Sequence, residues 1–140
     1  MGCLCAAVRR TGRLLTRRYD EALRPTGMNA AQFELMNTVY AAQPVNQISL
    51  AKILEADQTT LSRNLKLLLE MEWIETSIDA KDGRRRSYRV TAKGLSVLQE
   101  ATRCWSRINK EMEALLGMSG TEVWLTLDRV MDAVRGKSGV

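Results

Sequence analysis

The chain has 140 residues, of which 45% are apolar, which suits one folded domain with a hydrophobic core and excludes a disordered polymer. It contains three cysteines and no histidine, so we expect no disulfide framework, no metal site and no cofactor. Its formal net charge is +5, and the excess lies in residues 1–91, with 14 basic and 10 acidic side chains, while residues 92–135 carry six of each. The first part of the chain is therefore expected to bind a polyanion.

The chain shows neither a membrane segment nor a secretion signal. It has no run of about 18 apolar residues, which a membrane-spanning helix requires. The apolar part of the first ten residues is too short for a signal peptide. We therefore expect a cytoplasmic protein without a membrane partner.

The first part of the chain predicts four helices. Apolar residues at helical spacing predict the first helix from Cys3 to Leu23, and Pro25 breaks the chain after it. The second begins at Asn29, with Gln32 completing a capping box. The expected apolar face of this helix consists of Phe33, Met36, Val39 and Tyr40. A short third helix over residues 47–54 follows, and then a fourth that begins after the N-cap Asp57 and buries Leu61, Leu65 and Leu68.

The pattern then changes to period two, which predicts a β-hairpin. Ile74, Thr76 and Ile78 alternate with polar residues, as do Tyr88 and Val90, and a charged turn lies between them. A long fifth helix begins after Thr91 and has two apolar heptad series suited to packing against another helix. These series are Leu98, Trp105, Met112 and Ala101, Ile108, Leu115. Ser119 and Glu122 cap a last helix. The predicted fold is mainly α with a small β-hairpin wing, a winged helix-turn-helix.

The fourth helix and the hairpin carry the side chains expected to bind duplex DNA. A helix fits the major groove when its exposed side chains are short and polar or cationic, and a hairpin can place cations in the minor groove. The candidate DNA-binding residues are Gln58, Thr59, Thr60, Ser62, Arg63 and Lys66 on the helix, and Lys81, Asp82, Arg84, Arg85 and Arg86 on the hairpin. Each feature alone is often a solvated surface, whereas the two in this order favour DNA.

Several motifs resemble those of MarR-family transcriptional regulators. Residues 57–65 (DQTTLSRNL) are similar to the recognition helix of that family, and 82–84 (DGR) with 91–94 (TAKG) are similar to its wing and next helix. The resemblance covers about residues 3–135. It implies a single domain over residues 1–140, with a DNA-binding lobe at about 29–91 and dimerisation helices at 3–23 and 92–135. It also implies a homodimer that represses transcription from a pseudo-palindromic operator, with Arg84 in the minor groove and Asp82 steadying it.

The same resemblance implies two ways of releasing DNA. Members of the family bind small aromatic or lipophilic acids, for which the candidate pocket residues are Arg13, Phe33, Met36 and Tyr40. The segment Leu4-Cys5-Ala6-Ala7 with Tyr19 resembles the branch that senses organic hydroperoxides, in which the tyrosine of a partner subunit hydrogen-bonds the thiol. A second tyrosine of that branch corresponds to Ala30 here. For all these side chains, packing in a core is the alternative interpretation.

Two other classes of function were weighed. A helical protein–protein interaction module would use the heptad series for a foreign partner and would not depend on Arg84. An enzyme is not expected, because the chain has no histidine, no Gly-rich phosphate loop and no nucleophile beside a base. An inefficient thiol peroxidase acting through Cys5 is the one form of catalysis left open.

Overall fold

The computed structural model describes residues 2–78, 83 and 85–137, within which the chain forms six α-helices, a short 3-10 turn and a two-stranded sheet. In chain order these elements are α1 (Leu4–Leu23), the 3-10 turn (Arg24–Thr26), α2 (Ala30–Ala42), α3 (Gln47–Leu54), α4 (Gln58–Glu70), β1 (Ile74–Ile78), β2 (Arg86–Val90), α5 (Ala92–Leu116) and α6 (Gly120–Lys137). The predicted helical fold with a β-hairpin wing is confirmed. None of the helices in the described part of the chain is long and apolar enough to cross a membrane.

Side-chain caps set where the helices begin. The side chain of Asn29 accepts the N–H of Gln32 at 2.8 Å, and the side chain of Gln32 accepts the N–H of Asn29 at 2.9 Å. The two bonds satisfy N–H groups that have no partner within the helix, so they fix the first turn of α2. Ser119 and Glu122 form the same reciprocal pair at α6, and Gly117 ends α5 in the left-handed conformation, with φ 65°.

The wing is an antiparallel hairpin that projects from the helices. Ile74 pairs with Val90 at its base, and Ile78 pairs with Arg86 toward its tip. Val45 adds a single bridge to Tyr88, with N–O distances of 2.8 and 3.3 Å, so the chain before α3 extends the sheet. The strand predicted from the alternation of Ile74, Thr76 and Ile78 is confirmed as β1. Only Ile74 is buried, and Ile78 is 70% exposed because the outer half of the hairpin has no helix beneath it.

The core lies where α2, α3, α4 and the start of α5 meet the base of the wing. The predicted stripe of α4 is buried, since Leu61, Leu65 and Leu68 are at most 2% exposed. The predicted face of α2 is partly wrong: Tyr40 is 48% exposed, and Leu35 is buried in its place. The buried positions of α2 lie on the side that packs against α5 and β2, and Tyr40 lies beyond its edge.

The predicted heptad seam of α5 divides into two parts within one chain. Leu98, Ala101 and Ile108 are buried, at 6% exposure or less, where α5 packs against α1 and α2. Leu115 is 68% exposed, and Trp105 is half-covered by the ring of Phe33, with 6.2 Å between the ring centroids. Helix α5 therefore packs against its own chain as far as Ile108, and its last turn carries Leu115 and Leu116 into solvent.

Candidate nucleic-acid interface

Two short helices joined by a tight turn present α4 at the surface. Asn46 caps α3 by accepting the N–H of Ser49 at 2.8 Å. Helix α3 ends at Glu55, whose left-handed backbone (φ 49°) reverses the chain. Asp57 then caps α4 by accepting the N–H of Thr60 at 3.1 Å. The buried leucines of α4 fix its rotation, so its polar side faces outward.

The outward side of α4 is a continuous polar and cationic surface. Five of the predicted DNA-binding residues are exposed on it, namely Gln58, Thr59, Ser62, Arg63 and Lys66. At about 100° per residue they lie within a sector of roughly 140°, opposite the buried leucines. Thr60, the sixth, is also exposed, but its hydroxyl lies 3.3 Å from the carboxylate of Asp57 and serves the cap.

A cleft of about 510 Å³ joins this helix to the wing. Ser62 and Lys66 line it from α4, and Arg85 and Arg86 line it from the hairpin. The structure therefore brings together cationic residues that are about 20 positions apart in the chain. The remaining predicted wing residues, Lys81, Asp82 and Arg84, lie outside the described residues.

Helix α3 contributes three side chains to the cleft that the sequence interpretation did not select, Asn46, Gln47 and Ile48. The amide nitrogen of Gln47 donates to the side-chain oxygen of Gln58 at 3.2 Å, which orients the first residue of α4. The N-cap Asn46 marks where α3 begins, but no local signal in the sequence places that end of the helix beside α4.

The four candidate effector residues do not share one environment. Met36 is fully buried and Phe33 half-buried, so both belong to the core. Arg13 and Tyr40 are exposed on α1 and α2. A cavity of about 310 Å³ lies elsewhere, between α1 and α5, and is lined by residues that include Arg18, Cys104 and Arg107.

The cysteines are free thiols, with Cys3 and Cys5 exposed at the start of α1. The hydroxyl of Tyr19 donates to the side-chain oxygen of Asn109 at 3.0 Å. Burial, and then the negative charge of Glu113, raise the pKa of Tyr19, so its hydroxyl keeps its proton. Along α1, Cys5 and Tyr19 are about 21 Å apart at 1.5 Å per residue, so Cys5 cannot reach this hydroxyl within one chain.

The part of the chain that the structure describes holds no group of three or more His, Cys, Asp or Glu residues arranged for a metal ion. The outward side of α4 and the cleft present hydrogen-bonding side chains and fixed positive charge. Both features suit a ligand with many phosphates and with base edges that accept or donate hydrogen bonds.

Comparison with known proteins agrees with this geometry. A family model described as a winged helix DNA-binding domain matches residues 28–94. The multiple antibiotic resistance protein MarR of Escherichia coli (strain K12) is 27% identical over 84 residues, which are 60% of this chain and 58% of that protein. The aligned region thus spans less than two thirds of that relative.

Solved structures match over nearly the whole chain. The M. tuberculosis transcriptional regulator MosR, in complex with DNA, is 29% identical, with a TM-score of 0.84, and the match covers 96% of this chain and 98% of that one. S. aureus MepR, also in complex with DNA, has the same fold at 20% identity, with a TM-score of 0.80 over 97% of this chain and 99% of that one. In its winged helix and its order of elements, the chain is similar to these DNA-binding regulators of transcription.

Proposed function

We propose that this protein is a homodimeric, sequence-specific regulator of transcription that binds duplex DNA. The observation that carries the proposal is the meeting of Ser62 and Lys66 of α4 with Arg85 and Arg86 of the wing at one cleft. A helix of this width fits the major groove, and cations on an adjacent hairpin then lie over the backbone or the minor groove.

Each residue has a distinct role in the proposal. Arg63 and Lys66 neutralise phosphates or contact guanine edges, whereas Gln58, Thr59 and Ser62 hydrogen-bond to base edges. The first turn of α4 adds N–H groups and the positive end of a helix dipole. The similarity to MosR, which was solved in complex with DNA and is 29% identical, supports the proposal that this surface binds DNA.

Dimerisation is proposed from the apolar side chains that one chain leaves in solvent. They lie at the start of α1, at the end of α5 and along one side of α6, and are Leu4, Val8, Leu115, Leu116, Trp124, Leu127, Val130 and Val134, each at least 40% exposed. Exposed apolar side chains in this number favour an interface with a partner. A second copy that covers it would give two copies of α4 and a pseudo-palindromic site with half-sites about one helical turn apart. The single domain would then comprise a DNA-binding lobe at about 29–91 and dimerisation helices at 3–23 and 92–135.

The proposed regulator represses transcription and is released from its DNA by a small acid or by oxidation of a thiol. The exposed Cys5 supports the thiol route, since an accessible thiol is the oxidisable kind. For a tyrosine–thiolate contact between subunits, Tyr19 would first have to give up its hydrogen bond to Asn109, because its hydroxyl has one proton to donate. Regulation is proposed without catalysis, and the similarity to MosR, a transcriptional regulator, supports this.

The test is selection of bound duplexes from a random-sequence pool, followed by titration of the selected duplex. We expect a two-fold related sequence, loss of affinity in Lys66→Ala and a steep fall in affinity with salt. Arg129→Ala, which removes an exposed charge from α6, is the matched control and should keep the affinity within about twofold. If no duplex is enriched at low salt, the proposed function is wrong.

The dimer and the thiol are tested separately. Leu127→Glu on the apolar side of α6 should give a monomer in light scattering, whereas Arg129→Glu, about 160° around the helix from Leu127 at 100° per residue, should not. Treatment with an organic hydroperoxide should release the selected duplex from the wild type and not from Cys5→Ser. Release from both proteins would rule out Cys5 as the sensor.

A further inference from the structure

The last turn of α6 contacts the turn that precedes α4. The guanidinium of Arg135 donates its Nε–H to Oε1 of Glu55 at 2.7 Å, and an Nη2–H to the same oxygen. The two residues are 80 positions apart in sequence. This ion pair therefore links the C-terminal helix directly to the helix-turn-helix.

Both residues of this ion pair also make hydrogen bonds to residues close to them in the chain. Glu55 caps α3 in the left-handed conformation, with its N–H bonded to the carbonyl groups of Ala51 and Lys52. Arg135 donates a third hydrogen bond, from Nη1 to Asp132 one turn earlier at 2.8 Å. Because the guanidinium of Arg135 is already held by Asp132 and the backbone of Glu55 is fixed, closing the contact costs less entropy than pairing two side chains on mobile segments would.

Glu55 lies just before α4 in the chain, so the ion pair acts close to the proposed recognition helix. Two residues further on, Asp57 caps α4, so the ion pair reaches the chain immediately before the proposed recognition helix. At its other end, α6 begins next to the end of α5, where Gly120 donates its N–H to Glu113 at 2.7 Å. Helix α6 thus spans the distance from the proposed dimer contact to the start of α4.

We propose that Arg135 is a positioning residue, which through Glu55 fixes the orientation of α4 relative to the dimerisation helices. In a dimer this orientation sets the separation of the two copies of α4, and therefore which half-site spacing fits. The consequence for DNA rests on the proposed function. The restraint on α4 does not, because all the contacts that produce it lie within one chain.

The experiment measures the position of α4 by electron–electron distance spectroscopy. Spin labels are attached to Lys66→Cys on α4 and Lys110→Cys on the distal half of α5, in a protein whose native cysteines are replaced. Refolding this protein with an excess of unlabelled chain leaves at most one labelled chain per molecule, so the distance is measured within a chain whatever the oligomeric state. The variants compared are Arg135→Ala, Arg135→Lys, Glu55→Gln and the control Arg129→Ala.

We expect a narrow distance distribution in the background protein and in Arg129→Ala, and one about twice as wide in Arg135→Ala and in Glu55→Gln. Combining the last two changes should widen it no further, and Arg135→Lys should restore part of the narrow distribution because it keeps the charge without the planar fork. Without labels, Arg135→Ala should weaken binding to the selected duplex by about three- to tenfold more than Arg129→Ala does.

Each outcome decides the question. An unchanged distribution in Arg135→Ala would overturn the positioning role, even if DNA binding were normal. A lower urea midpoint with an unchanged distribution would mean that the ion pair only stabilises the fold, and would overturn it too. Failure of the wild type to bind any duplex would refute the proposed function alone, because the distance measurement needs no DNA.

Discussion

Gly94, at the start of α5, is the position where one added methyl group should do the most damage. A Cβ on this residue would lie 2.0 Å from the carbonyl oxygen of Trp73, and 2.7 and 2.9 Å from its C and Cα atoms. Ordinary van der Waals contact begins at 3.4 Å, so the helix and the turn before β1 would have to separate by about 1.4 Å (3.4 − 2.0). The obstacle is backbone, which cannot rotate aside as a side chain can.

The loss of stability in Gly94→Ala depends on the hydrogen bonds that are strained when α5 and the turn before β1 move apart. Thr91 donates its N–H to Trp73 at 3.0 Å and its hydroxyl to Glu72 at 2.7 Å, and both bonds hold the two segments together. Overpacking of this kind costs about 1–3 kcal/mol, and rigid backbone places it near the upper end. Replacing Gly by Ala in a helix recovers about 1 kcal/mol. We therefore expect Gly94→Ala to lower the free energy of unfolding by about 2 kcal/mol.

The assay is urea unfolding at fixed protein concentration, followed by circular dichroism and tryptophan fluorescence. Gly136→Ala is the control, because a Cβ on that α6 residue would meet no atom within 4 Å, and its stability should be unchanged or slightly higher. If Gly94→Ala were as stable as the wild type, the close approach would not restrain the junction of the wing and α5, and the reasoning would fail.

Three further predictions concern the caps and the interface. Asp57→Ala, which removes the acceptor for the N–H of Thr60, should cost about 1 kcal/mol in urea unfolding, and an unchanged midpoint would contradict the capping role. Lys66→Ala should lower the slope of log affinity against log salt concentration by about 0.9, whereas a parallel shift would mean that Lys66 neutralises no phosphate. Hydrogen bonds from the backbone and hydroxyl of Ser119 lower the pKa of Glu122, so its contribution to stability is present above the unfolded pKa and is lost as pH falls through the folded one. Between roughly pH 5 and 3 the wild type should therefore lose stability more steeply than Glu122→Gln, and equal slopes would refute this.

The caps and the buried stripes were predictable because their causes are local. Asn29 and Asp57 satisfy N–H groups within three residues of themselves, and the leucines of α4 follow the helical repeat. Once the order of elements was known, the outward rotation of Gln58 to Lys66 followed from those leucines. This part of the interface was therefore accessible from the sequence.

The features that the sequence did not reveal depend on contacts between distant segments. Ile78 has the alternation of a buried strand but extends beyond the helices that could cover it. The ion pair of Glu55 with Arg135 spans 80 residues, and neither side chain has a local signature. The contribution of Gln47 to the cleft likewise arises only when α3 is packed beside α4.

Helix α5 runs without interruption from the base of the wing to its exposed end, so it can act as a rigid lever. Its 25 residues form a rod about 37 Å long at 1.5 Å per residue. Because Leu98 and Ala101 anchor α5 in the core, about 15 residues before its end at Leu116, a tilt of about 5° at Ala101 moves that end by about 2 Å, by the geometry of a rigid rod. A small rotation of α5 within the core is therefore converted into a larger displacement of its exposed end.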